Sequence, residues 1–135
     1  MEEMVSQHDE QLLMRFYDAL NGGHFEEAMD LCKQEVEVYQ PPEVVAAMPP
    51  RGHREVSRYL REFFASWHMY EPEPEGFMAD GDKVVALVHL RARGLGSRFD
   101  IEEEIADVFE VDDGKISKLR LYVTRDAAVP RASND

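Results

Sequence analysis

Apolar side chains along this chain repeat with two different periods, and the change of period separates a helical half from a strand-forming half. Leu13, Phe16, Tyr17 and Leu20 fall at i, i+3, i+4 and i+7, the spacing that puts side chains on one face of a helix. Asn21-Gly22-Gly23 then supplies residues that tolerate a left-handed cap. A second, short helix is predicted with Phe25, Ala28, Met29 and Cys32 on one face. Val36, Val38 and Gln40 next alternate with Glu37 and Tyr39, a strand stopped by Pro41-Pro42. The stretch to Pro50 reads as loop, with a short helical turn over Val44 to Met48 as the alternative. The strongest helical stripe follows: Val56, Tyr59, Leu60, Phe63, Phe64 and Trp67, with Arg54, Glu55, Arg58, Arg61 and Glu62 largely opposite.

Beyond Trp67 the period becomes two. A first strand from about Glu71 to Ala79 is interrupted by Pro72 and Pro74, which suits an edge. Asp80-Gly81-Asp82 turns into a second strand, Lys83 to Arg93. Gly94-Leu95-Gly96-Ser97 turns into a third, Arg98 to Val111, and Asp112-Asp113-Gly114-Lys115 is a strong hairpin signal into the last, Ile116 to Val123. Parity assigns Val84, Ala86, Val88, Leu90 and Ala92 inward, together with Phe99, Ile101, Glu103, Ile105, Asp107 and Phe109. Val85, Leu87, His89, Arg91 and Arg93 take the other face, with Ala106, Val108, Tyr39 and Tyr122. A turn centred on Gly94 to Ser97 would set Arg91 opposite Asp100 and His89 opposite Glu102, a ladder of opposite charges.

One inward residue is out of character. Asp107 shares its face with Ile105, Phe109 and Val111. An ionised carboxylate among apolar side chains is costly unless it is paired, hydrogen-bonded or protonated. Such a group is either an acid or base serving a cavity, or a buried acid satisfied by a nearby hydroxyl or amide.

Composition narrows the classes that remain. A chain of 135 residues with 44% apolar content can fill one core, so residues 1–135 are expected to form a single domain, with its core about 9–128. The net charge of −13, from 28 acids against 15 bases, argues against nucleic acid as a partner. Cys32 is the only cysteine, which excludes an intrachain disulfide and a CxxC motif. The start, Met-Glu-Glu-Met, lacks the basic flank and apolar run of a signal peptide. No segment approaches the roughly 18 apolar residues of a membrane span. The expectation is a cytoplasmic protein with no membrane contact. His8, His24 and His89 show no metal-ligand spacing with one another or with acids, so no metal site is expected.

The order helix, helix, strand, long helix and antiparallel meander resembles the nuclear-transport-factor-2-like (cystatin-like) fold, over roughly residues 9 to 128. In detail it is similar to the SnoaL-like polyketide cyclase and ketosteroid isomerase branch. The matching stretches are Arg15-Phe16-Tyr17-Asp18-Ala19-Leu20-Asn21-Gly22-Gly23, Val36-Glu37-Val38-Tyr39-Gln40-Pro41-Pro42, Arg51-Gly52-His53-Arg54-Glu55-Val56, Asp80-Gly81-Asp82-Lys83-Val84-Val85 and Asp113-Gly114-Lys115-Ile116. The resemblance implies an α+β cone, a curved antiparallel sheet wrapped around a long helix, with an apolar pocket. It implies a homodimer through the outer sheet face and acid–base chemistry on hydrophobic carbonyl or cyclic compounds without metal or organic cofactor.

Transfer of the functional positions is uneven. The isomerase branch has a proton-abstracting Asp where this chain has Gln40, which cannot take up a proton at neutral pH. Its oxyanion-donating tyrosine aligns with Phe16. Its second oxyanion donor, a carboxylic acid held neutral in an apolar site, aligns with Asp107. Usual ketosteroid isomerase activity is therefore not expected. Asp107 is the candidate catalytic residue. Gln40, Phe16, Tyr17, Tyr59, Phe63, Trp67, Glu103 and Phe109 are candidates to line the pocket of a small hydrophobic molecule. Tyr17 and Tyr59 are either hydroxyl donors or core aromatics, and Glu103 either faces the pocket or lies at a solvated rim. A ligand-binding or dimerisation domain without catalysis is the alternative.

Overall fold

The computed structural model describes residues 5–40 and 48–124, the last three of these by backbone alone. Helix α1 (Gln7–Asn21) opens at Ser6, whose hydroxyl accepts from the Asp9 amide at 3.0 Å, satisfying one of the N–H groups a helix start leaves without a partner. Its apolar stripe buries Leu12, Leu13, Phe16, Tyr17, Ala19 and Leu20. Helix α2 (Phe25–Asp30) is short, and Cys32 does not extend it. Cys32 instead opens strand β1 (Cys32–Tyr39). The Ile116 N–H donates to the Leu31 carbonyl at 2.9 Å, so sheet pairing captures the backbone where the helical period would have continued. Gln40 lies one residue past the end of β1. The expectations for Pro41-Pro42, for 44–47, for the side chain of Tyr122 and for the tail beyond 124 fall outside the described residues.

Helix α3 (Gly52–Ala65) carries the aromatic stripe, with Val56 and Leu60 fully buried and Tyr59, Phe63 and Phe64 half-buried. Ser66 ends it, its hydroxyl donating to the Phe63 carbonyl at 2.6 Å. Strand β2 (Trp67–Asp80) therefore starts at Trp67, not at Glu71. It pairs with β3 (Lys83–Gly94), which pairs with β4 (Ile101–Asp112) and that with β5 (Lys115–Thr124). The sheet order is β1-β5-β4-β3-β2, which makes the proline-containing β2 an edge. β1 runs parallel to β5, so the sheet is mixed and not wholly antiparallel. The helical layer carries the chain from β1 at one edge to β2 at the other, and β1 is left aligned with β5.

This is the expected α+β arrangement, a curved sheet packed against helices. The core joins α1 and α3 to the concave residues Val84, Ala86, Val88, Leu90, Ile105 and Phe109. α1 is the more deeply buried of the two helices, because its apolar positions cover a wider arc than those of α3. No described helix is long and apolar enough to cross a membrane.

Parity holds along β3 and β4, but the register differs from expectation by two residues. Arg91 lies opposite Glu102 and His89 opposite Glu104. The connection is longer than a four-residue turn. The Ser97 N–H donates to the Gly94 carbonyl at 3.1 Å and the Phe99 N–H to Ser97 Oγ at 3.2 Å, which takes these backbone groups out of the ladder. Phe99, expected inward, is 78% exposed as a result. On the outer face Val85 and Ala106 are already covered within the chain, under half-buried Met78, Leu87 and Val108. Among the described residues of this cluster, the last three keep part of their apolar surface accessible.

Candidate functional site

Strand β4 delivers Asp107 to the concave face, opposite Ala86 of β3 and two residues from Phe109. Helix α1 delivers Tyr17 to the same place. The Tyr17 hydroxyl donates to Asp107 Oδ2 at 2.5 Å, with Tyr17 only 1% and Asp107 3% exposed. Asp107 is the only charged or polar residue among the described residues that is buried. The surrounding wall is aromatic: Phe16, Tyr17 and Phe109 meet edge to face, with ring centroids 5.8–6.2 Å apart. Phe16 has no hydroxyl, yet the next residue on the helix brings one to the acid. Tyr17, not Phe16, supplies the hydroxyl that meets Asp107.

Burial raises the Tyr17 phenol well above the ordinary tyrosine range, and the neighbouring charge and hydrogen bond of Asp107 push it further up. Tyr70 adds to this from β2. At neutral pH Tyr17 is therefore a firm proton donor to Asp107. A hydrogen bond between a phenol and a carboxyl group gains strength where water is kept away.

A second hydroxyl pair lies between α3 and the end of β1. The Tyr59 hydroxyl donates to Gln40 Oε1, and both residues are half-buried. Burial raises the Tyr59 phenol above its usual value. This contact orients the Gln40 amide, leaving its NH2 as the donating end. Tyr59 also stacks on Phe63 at 14° between ring planes.

Phe63, Phe64 and Trp67 converge on Tyr70, with centroids 4.9, 5.2 and 5.3 Å from its ring. Tyr70 belongs to this aromatic group but was not anticipated. It pairs with Ala92 in β3, so strand parity would have placed it inward had β2 been extended back to Trp67. Glu103 pairs with Leu90 on the concave face but is exposed, which places it at the solvated rim and not beside Asp107. His53 lies at the start of α3, its Nε2 3.1 Å from the Cys32 carbonyl oxygen.

Comparison with known proteins agrees with this fold. The model of the SnoaL-like domain matches residues 13–119, and the chain belongs to that family. Among solved structures, an NTF2-like protein of unknown function from Burkholderia pseudomallei K96243 superposes with a TM-score of 0.75 at 16% identity, over 90% of this chain and 95% of that one. TerC co-crystallised with polyporic acid gives a TM-score of 0.73 at 15% identity, over 84% and 89%. An LEH-like epoxide hydrolase of M. tuberculosis gives 0.63 at 23% identity, over 85% and 81%. At these identities the likeness is one of fold. Comparison with curated proteins returns no match.

Proposed function

We propose that this SnoaL-like domain is a cofactor-independent acid–base enzyme acting on a small hydrophobic carbonyl or cyclic compound. The observation that carries the reading is the Tyr17–Asp107 hydrogen bond buried in an aromatic wall. A carboxyl group hydrogen-bonded by a phenol is a pair that could pass a proton to or from a bound substrate, or donate to a developing oxyanion. Gln40, held through its oxygen by Tyr59, orients the substrate carbonyl with its NH2. The co-crystallised polyporic acid of TerC supports a cyclic ligand for this fold. We further propose that two chains pair through the outer sheet face around Met78, Leu87 and Val108.

One observation favours a second reading, a domain that binds such a ligand without turning it over. Tyr17 and Asp107 satisfy one another with almost no exposure to solvent, which is also what a purely structural pair would do. The two readings separate in one experiment. The protein is purified, its bound ligand is identified by native mass spectrometry, and turnover of that ligand class is followed for the wild type, Asp107→Asn and Tyr17→Phe. An enzyme loses about a hundredfold or more in rate with Asp107→Asn, the scale of a lost proton-transfer group. Binding without turnover by the wild type would establish the second reading.

A further inference from the structure

On the outer face, away from Tyr17 and Asp107, three strands bring Glu75, His89 and Glu104 together. One ligand atom of each lies within 4.8 Å of the other two. No sequence spacing announces this, because each residue comes from a different strand. His89 sits opposite Glu104 of β4 and opposite Glu73 of β2. The β2–β3 register shifts between Pro74 and Gly76. Glu75 is the inserted residue of that bulge, and a bulge re-aims the side chain it adds.

We propose that Glu75, His89 and Glu104 form a binding site for a divalent transition ion such as Zn2+ or Co2+. One imidazole nitrogen with two carboxylates is a mixed donor set suited to these ions, whereas Ca2+ and Mg2+ take oxygen donors. The histidine is oriented for the task. Its Nδ1 lies 2.8 Å from Glu104 Oε2, and its Nε2 lies 3.1 Å from Glu102 Oε1. An ion held at Nδ1 beside Glu104 leaves the Nε2–H to donate to Glu102. That is the carboxylate–histidine–metal arrangement that fixes the ring and raises its basicity.

The surroundings favour a cation. Glu73, Glu75, Glu102 and Glu104 face His89 from the two flanking strands. The nearest base on its own strand, Arg91, is engaged by Glu71 at 3.6 Å and Asp100 at 3.5 Å. Glu75 and Glu104 are exposed and His89 is half-buried, so an ion reaches the cluster from solvent. The competing occupant is a proton. The bond to Glu104 is the largest of the influences that raise the His89 imidazole above its ordinary range, and the ion must displace that proton.

Titration of the untagged full-length protein with Co2+, followed by its visible absorption bands, tests the assignment. At about pH 7.5 the bands should saturate at one ion per chain, disappear on adding Zn2+, and weaken on acidification to about pH 5.5. His89→Ala and Glu104→Gln should each weaken binding by about tenfold or more, as loss of a ligand or of its orienting partner does. Glu62→Gln, on the solvent side of α3, should change nothing. Far-ultraviolet circular dichroism confirms that these surface variants fold. No saturable binding below about 1 mM, or His89→Ala weakening binding by less than about tenfold, overturns the proposal and leaves a histidine ion-paired to two glutamates.

Discussion

At the residue scale, the Tyr17 hydroxyl is the group on which both the fold and the proposed chemistry depend. It donates to a carboxylate from which water is excluded, and hydrogen bonds to charged groups contribute about 1.5–3 kcal/mol. Tyr17→Phe keeps the ring and its contacts with Phe16 and Phe109, so the loss should fall in that range by urea denaturation. Asp107→Asn should cost less, about 1 kcal/mol, because an amide oxygen still accepts from Tyr17. A larger loss for Asp107→Asn than for Tyr17→Phe would mean that the charge itself is required for folding. The pH dependence has a definite sign. The folded-state value of Tyr17 is raised above the free value near 10, so the folded state binds the phenolic proton more tightly. That stabilisation is fully present below about pH 10 and lost as pH rises toward the folded-state value. Tyr17→Phe should flatten the alkaline fall in stability, measured as urea midpoint against pH.

Cys32 makes a contrasting residue. It is buried, its thiol donates to the Ala28 carbonyl at 3.5 Å, and burial pushes its pKa to about 12. A thiol reagent at about pH 8 should label it only as the protein unfolds. Strand parity made Asp107 legible as an inward acid. The identity of its partner was not legible, since helical spacing gives Tyr17 a face but not the depth to which its hydroxyl reaches.

At the scale of elements, the β4–β5 turn shows how far local chemistry reaches. Asp113 and Gly114 have φ of 55° and 77°, the left-handed pair that matches strand twist in a two-residue hairpin. Gly114→Ala should cost about 1 kcal/mol or slightly more, since alanine is strained there. Its added Cβ would also meet His8 Cε1 at 3.2 Å, an exposed ring that can move aside. Gly94→Ala is the control: no positive φ is required there and a Cβ meets nothing within 4 Å, so it should be neutral or slightly stabilising. Equal losses for both, from denaturant midpoints, would contradict the conformational explanation. Where the turn carried an Asp-Gly signal, the sequence located it correctly. At Gly94 to Ser97 the glycines marked a turn but not its length, because side-chain capture of the Phe99 amide by Ser97 set where β4 begins. The edge position of β2 was legible from Pro72 and Pro74. The parallel pairing of β1 was not, since strand direction across a helical layer leaves no local mark.

At the scale of the whole molecule, two opposing forces act on association of the chains. Leu87 and Val108 keep part of their apolar surface exposed on the outer sheet face, and covering such surface favours a symmetric partner. Each chain also carries a formal charge of −13, so two chains repel before they touch. Salt screens the repulsion and leaves apolar burial intact, the screening length shrinking from about 10 Å at 0.1 M to about 3 Å at 1 M. The proposed dimer should therefore tighten as salt is raised, by sedimentation velocity at micromolar concentration. Leu87→Asp places a carboxylate in the patch and should leave a monomer at every salt concentration, with unchanged circular dichroism. A dimer that loosens with salt would instead be held by ion pairs between the chains. A monomer throughout would show that Met78, Leu87 and Val108 do no more than cover Val85 and Ala106 within one chain.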